Sequence, residues 1–241
     1  MFQPRVYRHW VKGKDLVSFS VASKETDLYI RASKNLRAKA LKLVGKYREA
    51  LEMYIERHPE FLTSLEPLTA GDDAPRIVKA MAEAAEKAGV GPMAAVAGAI
   101  AEFVGNELLE FSPQVIVENG GDIFIKSLTR RVISIYAGES LLSGEIGLEI
   151  GVGEMPLGIC TSSGTVGHSL SFGQADAVVA LSPSTPLADA AATAVGNVIK
   201  GPETIAEGIT LAESIEGLKG VLIIKGDKVG VWGDVKICQT G

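Results

Sequence analysis

The 241-residue chain holds only two cysteines, Cys160 and Cys238, and three histidines, His9, His58 and His168. So few ligating side chains build neither a zinc site of ordinary spacing nor the dense cysteine framework of a small secreted domain. No stretch approaches the roughly 18 apolar residues of a membrane span, so no membrane partner is expected. The opening "MFQPRVYRHWVKGKDLVSF" has no apolar run of signal-peptide length. The expected location is the cytoplasm, with reduced thiols. Basic charge is also in short supply: 24 Lys and Arg stand against 29 Asp and Glu, a net charge of −5, which argues against nucleic acid binding over the whole surface.

What is present is the composition of a globular protein with a sizeable core, 46% hydrophobic and 22% charged. "RVYRHWV", "DLVSFSV" and "TDLYIRA" read as strands, with "VKGKD" as a turn between the first two. A helix is expected over residues 33–58, because Leu36, Ala40, Leu43, Val44, Tyr47, Leu51 and Tyr54 keep one face apolar and Pro59 stops it. Asp73 is placed to cap a second helix that runs to about Ala88. A small-residue helix, "MAAVAGAIAEFVGNELLEF", follows "GVGP". Then "QVIVENGGDIFI", "RRVISIYAG", "GLEIGVG", "LGICTSS" and "QADAVVALS" read as strands joined by glycine-rich turns. An alanine-rich helix and a polar amphipathic helix near 204–215 come next, and "KGDK" marks a final hairpin. Neither linker nor repeat interrupts the chain. The expected fold class is α+β, in one domain over residues 1–241.

The alanine-rich helix poses the sharpest question. In "STPLADAAATAVGN", Thr185 is expected as N-cap and Pro186 as the first helical residue. Asp189 and Thr193 then lie one turn apart on one face. Two readings fit. Asp189 complements a helix dipole while Thr193 bonds back to a carbonyl; or the two oxygens bind a hard cation such as Mg²⁺. In "VENGGDIFI", Gly120 and Gly121 permit a tight turn or close approach of a ligand, with Asp122 as a cap or a ligand contact. "CTSSGTVGHSLSFG" is either an ordinary polar loop or a nest of amides and hydroxyls suited to phosphate. His168 lies inside that loop, where it can serve as a base or touch a ligand. The segment 31–48 carries seven Lys or Arg and no acid. It reads as the solvated face of a packed helix, with a phosphate-rich partner as the other reading.

Taken in order, "GAIAE", "VENGGDIFI", "ICTSSG", "HSLS" and "LADAAATAVGN" resemble the ApbE-like superfamily, the FAD:protein FMN transferases. The resemblance spans about residues 98–198 and is most specific in the Ala-Asp-Ala-x-Ala-Thr and Gly-Gly-Asp-Ile segments. It implies a T-fold-like arrangement, antiparallel strands backed by helices. It implies FAD and Mg²⁺ as cofactors, and transfer of the FMN half to a hydroxyl of a target protein. The implied metal ligands are Asp189, Thr193 and the carbonyl of Ala101. The implied flavin-nucleotide contacts are Gly120, Gly121, Asp122, Thr161, Ser162, Ser163 and Gly164, with His168 as the catalytic residue. Two departures stand out: Glu102 occupies the place of the family lysine, and "HSLSFGQ" lacks the Asp-Pro of the family's His loop. A non-catalytic flavin or pterin carrier is therefore the alternative function. A nucleic-acid-associated protein using the basic helix is a further one.

Overall fold

The computed structural model describes residues 15–165 and 172–240. The expected strand "RVYRHWV", the "VKGKD" turn up to Lys14 and His168 lie outside the described residues. The elements, in chain order, are strands β1 (Val17–Ser23) and β2 (Thr26–Ala32), then helices α1 (Arg37–Arg57), α2 (Glu60–Thr63), α3 (Arg76–Ala88) and α4 (Val96–Leu109). Strands β3 (Val115–Asn119), β4 (Asp122–Lys126), β5 (Arg131–Ser134), β6 (Ile146–Ile150), β7 (Leu157–Ser162) and β8 (Ala177–Ser182) follow. The chain continues with α5 (Thr185–Val198), α6 (Ile205–Ser214), β9 (Gly220–Lys225), β10 (Lys228–Gly233) and β11 (Ile237–Gln239).

Eight strands form one sheet in the order β1-β2-β3-β4-β7-β8-β9-β10, and three form a second in the order β11-β6-β5. Every pairing is antiparallel, so the protein is α+β. Pleating sends alternate side chains to opposite faces. One face of the large sheet, with Ile125, Leu157, Ile159, Leu181 and Leu222, packs against Leu148 and Ile150 of the small sheet. The other face, with Val117, Phe124, Val178 and Val221, packs under the helices. Helix α5 touches α3, α4, α6, β7 and β8, and eleven of its residues are buried. That burial explains its run of alanines, since only small side chains fit a helix enclosed on nearly every side. Among the described residues no single helix is long and apolar enough to cross a membrane.

Three helix starts differ from expectation. Helix α1 begins at Arg37 and not at Ser33, because β2 continues to Ala32 and the Asn35 side chain accepts the Arg37 amide at 2.9 Å, holding a turn ahead of the helix. Helix α3 begins at Arg76 without a side-chain cap. Pro75, extended at ψ 147°, sets that start, and Asp73 stays in the preceding turn. The N-cap of α5 is Ser184, one residue earlier than Thr185, and its hydroxyl accepts the Leu187 amide at 3.4 Å.

The basic segment of α1 is largely engaged within the protein. Lys46 and the Tyr47 hydroxyl both bond Glu107, Arg48 bonds Glu25, Glu52 and Thr26, and Lys39 sits over the Phe111 ring at 3.3 Å. Opposite them, Ala40, Leu43, Val44, Leu51 and Tyr54 are buried.

Candidate functional site

The site grows from two small-residue helices that pack without side chains between them. A methyl group on Gly98 of α4 would lie 2.5 Å from the Thr185 carbonyl oxygen of α5. A methyl on Gly158 of β7 would lie 2.5 Å from the Thr185 Cα. Glycine at both positions is what allows the start of α5 to wedge between α4 and the sheet. Farther along, Gly196 sits beside Ser162, 3.4 Å from its hydroxyl as measured from an added Cβ. Helix α5 therefore runs along β7, its start beside Gly158 and its end beside Ser162.

At this junction the two helices cap one another. The first amides of any helix lack partners within it and carry partial positive charge. The Gly98 amide, in the first turn of α4, donates to Asp189 Oδ2 at 2.8 Å. The Thr185 amide, first in α5, donates to Glu102 Oε2 at 2.6 Å. Each helix thus lends a carboxylate, four residues beyond its own contact residue, to the other's N-terminus. Asp189 complements a helix dipole, but the dipole belongs to α4. Glu102 replaces a lysine of the ApbE-like pattern with the one charge that suits an amide terminus.

Asp122 joins this junction from the sheet. Gly120 and Gly121 have φ of 71° and 119°, the left-handed values that a two-residue hairpin turn requires at both central positions. They turn β3 into β4, so that Asn119 pairs with Asp122. The Asn119 amide group donates to the Ala97 carbonyl at 3.1 Å, tying the turn to the start of α4. Asp122 shares its face of β4 with Phe124, two residues on, whose ring lies against Gly105 of α4. It is only 8% exposed, and its Oδ1 is buried without a hydrogen-bond partner.

Electrostatics mark the cluster. Burial, with the Glu118 charge adding, pushes the Asp122 carboxyl up to about 7; the Cys160 thiol and the Thr161 amide offset part of that rise. Burial and then the Asp122 charge push Asp189 well above the usual carboxylate range, against the pull of the Gly98 and Ala97 amides. Cys160 is completely buried, and burial together with both aspartates pushes its thiol upward. It stays protonated and lies 3.5 Å from the Thr185 carbonyl oxygen, to which it can donate. Burial also raises Glu102, opposed by its bond to Thr185. Among the described residues, the groups that act most on Asp122 and Asp189 are carboxylates, a thiol and backbone amides.

The remaining expected site residues lie on α4, α5, the Gly120-Gly121 turn, β7 and the loop after it. Thr193 is half-buried, one turn beyond Asp189, and Ala101 is buried in α4 beside Glu102. Gly121 abuts Thr161. The pleat aims Ser162 and Cys160 toward α5 and Thr161 to the opposite face. Past β7, the Gly164 amide donates to the Ala175 carbonyl at 2.9 Å and the Thr165 amide to the Ser163 hydroxyl at 3.2 Å. The Phe172 amide reaches the Asn197 side chain at 3.0 Å and the Gln174 amide the Ile199 carbonyl at 2.7 Å. The described amides of this polar loop are thus committed within the protein, and they anchor its two ends at the close of α5. Sequence reasoning missed Asn119, Cys160 and the capping role of Glu102. The signal for Glu102 was present in the spacing Gly98–Glu102 against Thr185–Asp189. Among the described residues no group of three or more His, Cys, Asp and Glu side chains could hold a metal ion.

Comparison with known proteins identifies relatives of the chain and of its fold. A UPF0280 protein of Methanocaldococcus jannaschii is 43% identical over 218 residues, covering 88% of each chain. One from Methanopyrus kandleri is 42% identical over 225 residues, 90% of this chain and 91% of the other. In three dimensions the chain is similar to the Pseudomonas stutzeri flavinyl transferase ApbE, with a TM-score of 0.57 at 12% identity over 90% of this chain and 93% of that one. It is likewise similar to the ApbE protein of Thermotoga maritima, with a TM-score of 0.54 at 12% identity over 89% and 96%. The family described as "AbpE bacteria" matches residues 8–215, and the chain belongs to it, as a divergent member of the ApbE-like group.

Proposed function

We propose that this chain binds a flavin nucleotide, FAD, with Mg²⁺ at the junction of α4, α5 and the Gly120-Gly121 turn, and that it transfers the FMN half to a hydroxyl of a target protein in the cytoplasm. The observation that carries this reading is the buried pair Asp122 and Asp189, two interacting carboxylates of which Asp122 keeps one oxygen without a hydrogen-bond partner. Such a pair in a low-dielectric setting calls for a cation or a shared proton.

The residues fit a hard cation. Asp122 Oδ1 lacks a partner, and the available donors are oxygens: Asp189, the Thr193 hydroxyl and the Ala101 carbonyl. Mg²⁺ held there would stabilise negative charge on the phosphoryl group in transfer. Asp189 would be fixed for this task by the Gly98 amide, and Glu102 would fix α5 by holding Thr185. The Gly120-Gly121 turn offers bare backbone to the nucleotide, flanked by Thr161, Ser162, Ser163 and Gly164. In the transfer, a phosphoester bond forms to the acceptor oxygen and the pyrophosphate link breaks. The adenylate half leaves as AMP, and His168 takes the proton of the hydroxyl.

The missing Asp-Pro after His168 favours a second reading, a carrier that holds a flavin or a pterin without the transfer. Incubation with FAD, with and without Mg²⁺, followed by chromatography of protein and filtrate separates the two. Mg²⁺-dependent release of AMP, with the FMN half passing to water or to a hydroxyl of the protein itself in the absence of a target, supports the transferase. Retention of intact FAD without AMP supports the carrier, and neither retained flavin nor released AMP under either condition overturns both.

A further inference from the structure

We propose that Asp122 is itself a ligand, so that Asp122 and Asp189 form a two-carboxylate site for one hard divalent cation bridging β4 and α5. The resemblance supplies Asp189, Thr193 and the Ala101 carbonyl as metal ligands and leaves Asp122 as a flavin contact; the inference deepens the reading above and rests on it.

Three observations carry it. First, the backbone aims Asp122 inward. The turn at Gly120 and Gly121 starts β4 at Asp122, on the face that Phe124 shares with α4, and β7 brings Cys160 beside it. Second, the protein's own donors, the Thr161 amide and the Cys160 thiol, match the carboxylate only in part. Its Oδ1 is sealed from solvent and has no hydrogen-bond partner, whereas Asp189 is bonded to Gly98. Leaving a buried acceptor unmatched is costly, and a bound cation would recover that cost. Third, the surroundings are negative. The Glu118 charge acts on Asp122, and the Asp122 charge acts on Asp189.

The donor set also selects the class of ion. Cys160 lies beside Asp122, but its Sγ is directed at the Thr185 carbonyl oxygen, 3.5 Å away. Soft metals prefer thiolate and imidazole, and the described residues hold no cluster of three or more His, Cys, Asp and Glu for one. Oxygen donors alone remain, and these suit Mg²⁺ or Mn²⁺, which keep several waters.

The test uses the full-length protein and Mn²⁺ alone, with free Mn²⁺ read by electron paramagnetic resonance. Wild type is expected to bind one Mn²⁺ per chain. Asp122→Asn and Asp189→Asn are each expected to weaken binding at least tenfold, about 1.4 kcal/mol, while Cys160→Ala stays within about twofold. Unchanged affinity in Asp122→Asn, or no Mn²⁺ binding by wild type, overturns the inference. Should Asp122→Asn fail to fold, Asp122→Glu decides: it keeps the charge, and Mn²⁺ binding well above that of Asp189→Asn supports the site, while equal loss in a folded protein overturns it. A parallel FAD titration keeps the two readings apart. Mg²⁺-dependent FAD binding with Mn²⁺ affinity untouched in Asp122→Asn leaves the proposed function standing and removes Asp122 from it. Loss of Mn²⁺ in Asp122→Asn without any FAD binding does the reverse.

Discussion

Toward the small sheet, the large one presents Ile116, Ile125, Leu157, Ile159, Val179, Leu181, Leu222 and Ile224, all aliphatic and all buried. On its other face, β4 and β7 present Asp122, Gly158, Cys160 and Ser162 to α5. The same two strands therefore serve two kinds of surface through their pleat. One is ordinary close packing, in which volume matters and identity is negotiable. The other gives up side-chain packing so that a helix backbone can come close, and it buries carboxylates among helix-terminal amides. The first surface contributes to stability alone, and the chemistry proposed for the protein sits in the second.

The comparison breaks first on the aliphatic side. Ile159→Ala removes a side chain that is 1% exposed, and an expected loss of about 2–5 kcal/mol is checked by urea denaturation, with Mg²⁺-dependent ligand binding intact in whatever remains folded. Next is pH. The Asp122 carboxyl titrates near 7 in the folded protein against 3.8 for an ordinary aspartate. The folded state then holds a proton that the unfolded state has lost between about pH 4 and 7. Stability is highest below that window and falls as pH rises through it, by at most about 1.4 kcal/mol per pH unit. In Asp122→Asn this slope should flatten in thermal melts run across that range. A slope of opposite sign would contradict the burial argument.

Smaller effects sharpen the contrast. Gly98→Ala places a methyl against the Thr185 backbone, which cannot move aside as a side chain can. An expected destabilisation of about 1–3 kcal/mol reverses the gain that alanine normally brings to a helix; a stabilised variant would show that α4 and α5 are not in tight contact. Ser184→Ala removes the hydroxyl cap of α5 and should cost about 1 kcal/mol, read by chemical denaturation.

Much of this architecture was legible in the sequence. Alternating apolar residues gave β2 its limits, and the Asn-Gly-Gly-Asp turn between β3 and β4 follows from glycine's freedom at positive φ. The apolar stripe of α1 predicted its buried face, though not its first turn, because a side-chain bond from Asn35 competed with the helix. The site was legible as a set of motifs and not as a geometry. Asp189 could be read as serving its own helix or a metal; that it caps α4 depends on the contact of two glycine-lined backbones, which no local pattern encodes. Glu102 read as a reversed charge for the same reason. The meeting of Asp122 with Cys160 depends on the register of β4 against β7, set by strands 30 and more residues apart in the chain.

The most direct test of the account is a calorimetric titration of FAD into wild type and Asp189→Asn, each with and without Mg²⁺. Asparagine keeps an acceptor for the Gly98 amide and removes only the charge, so the cap of α4 survives the substitution. The account predicts that Mg²⁺ tightens FAD binding to wild type, and that this gain falls at least tenfold in Asp189→Asn while its melting temperature stays close to wild type. Equal affinities in all four titrations would make Asp189 a helix cap alone and would contradict the assignment of a cation-assisted flavin site.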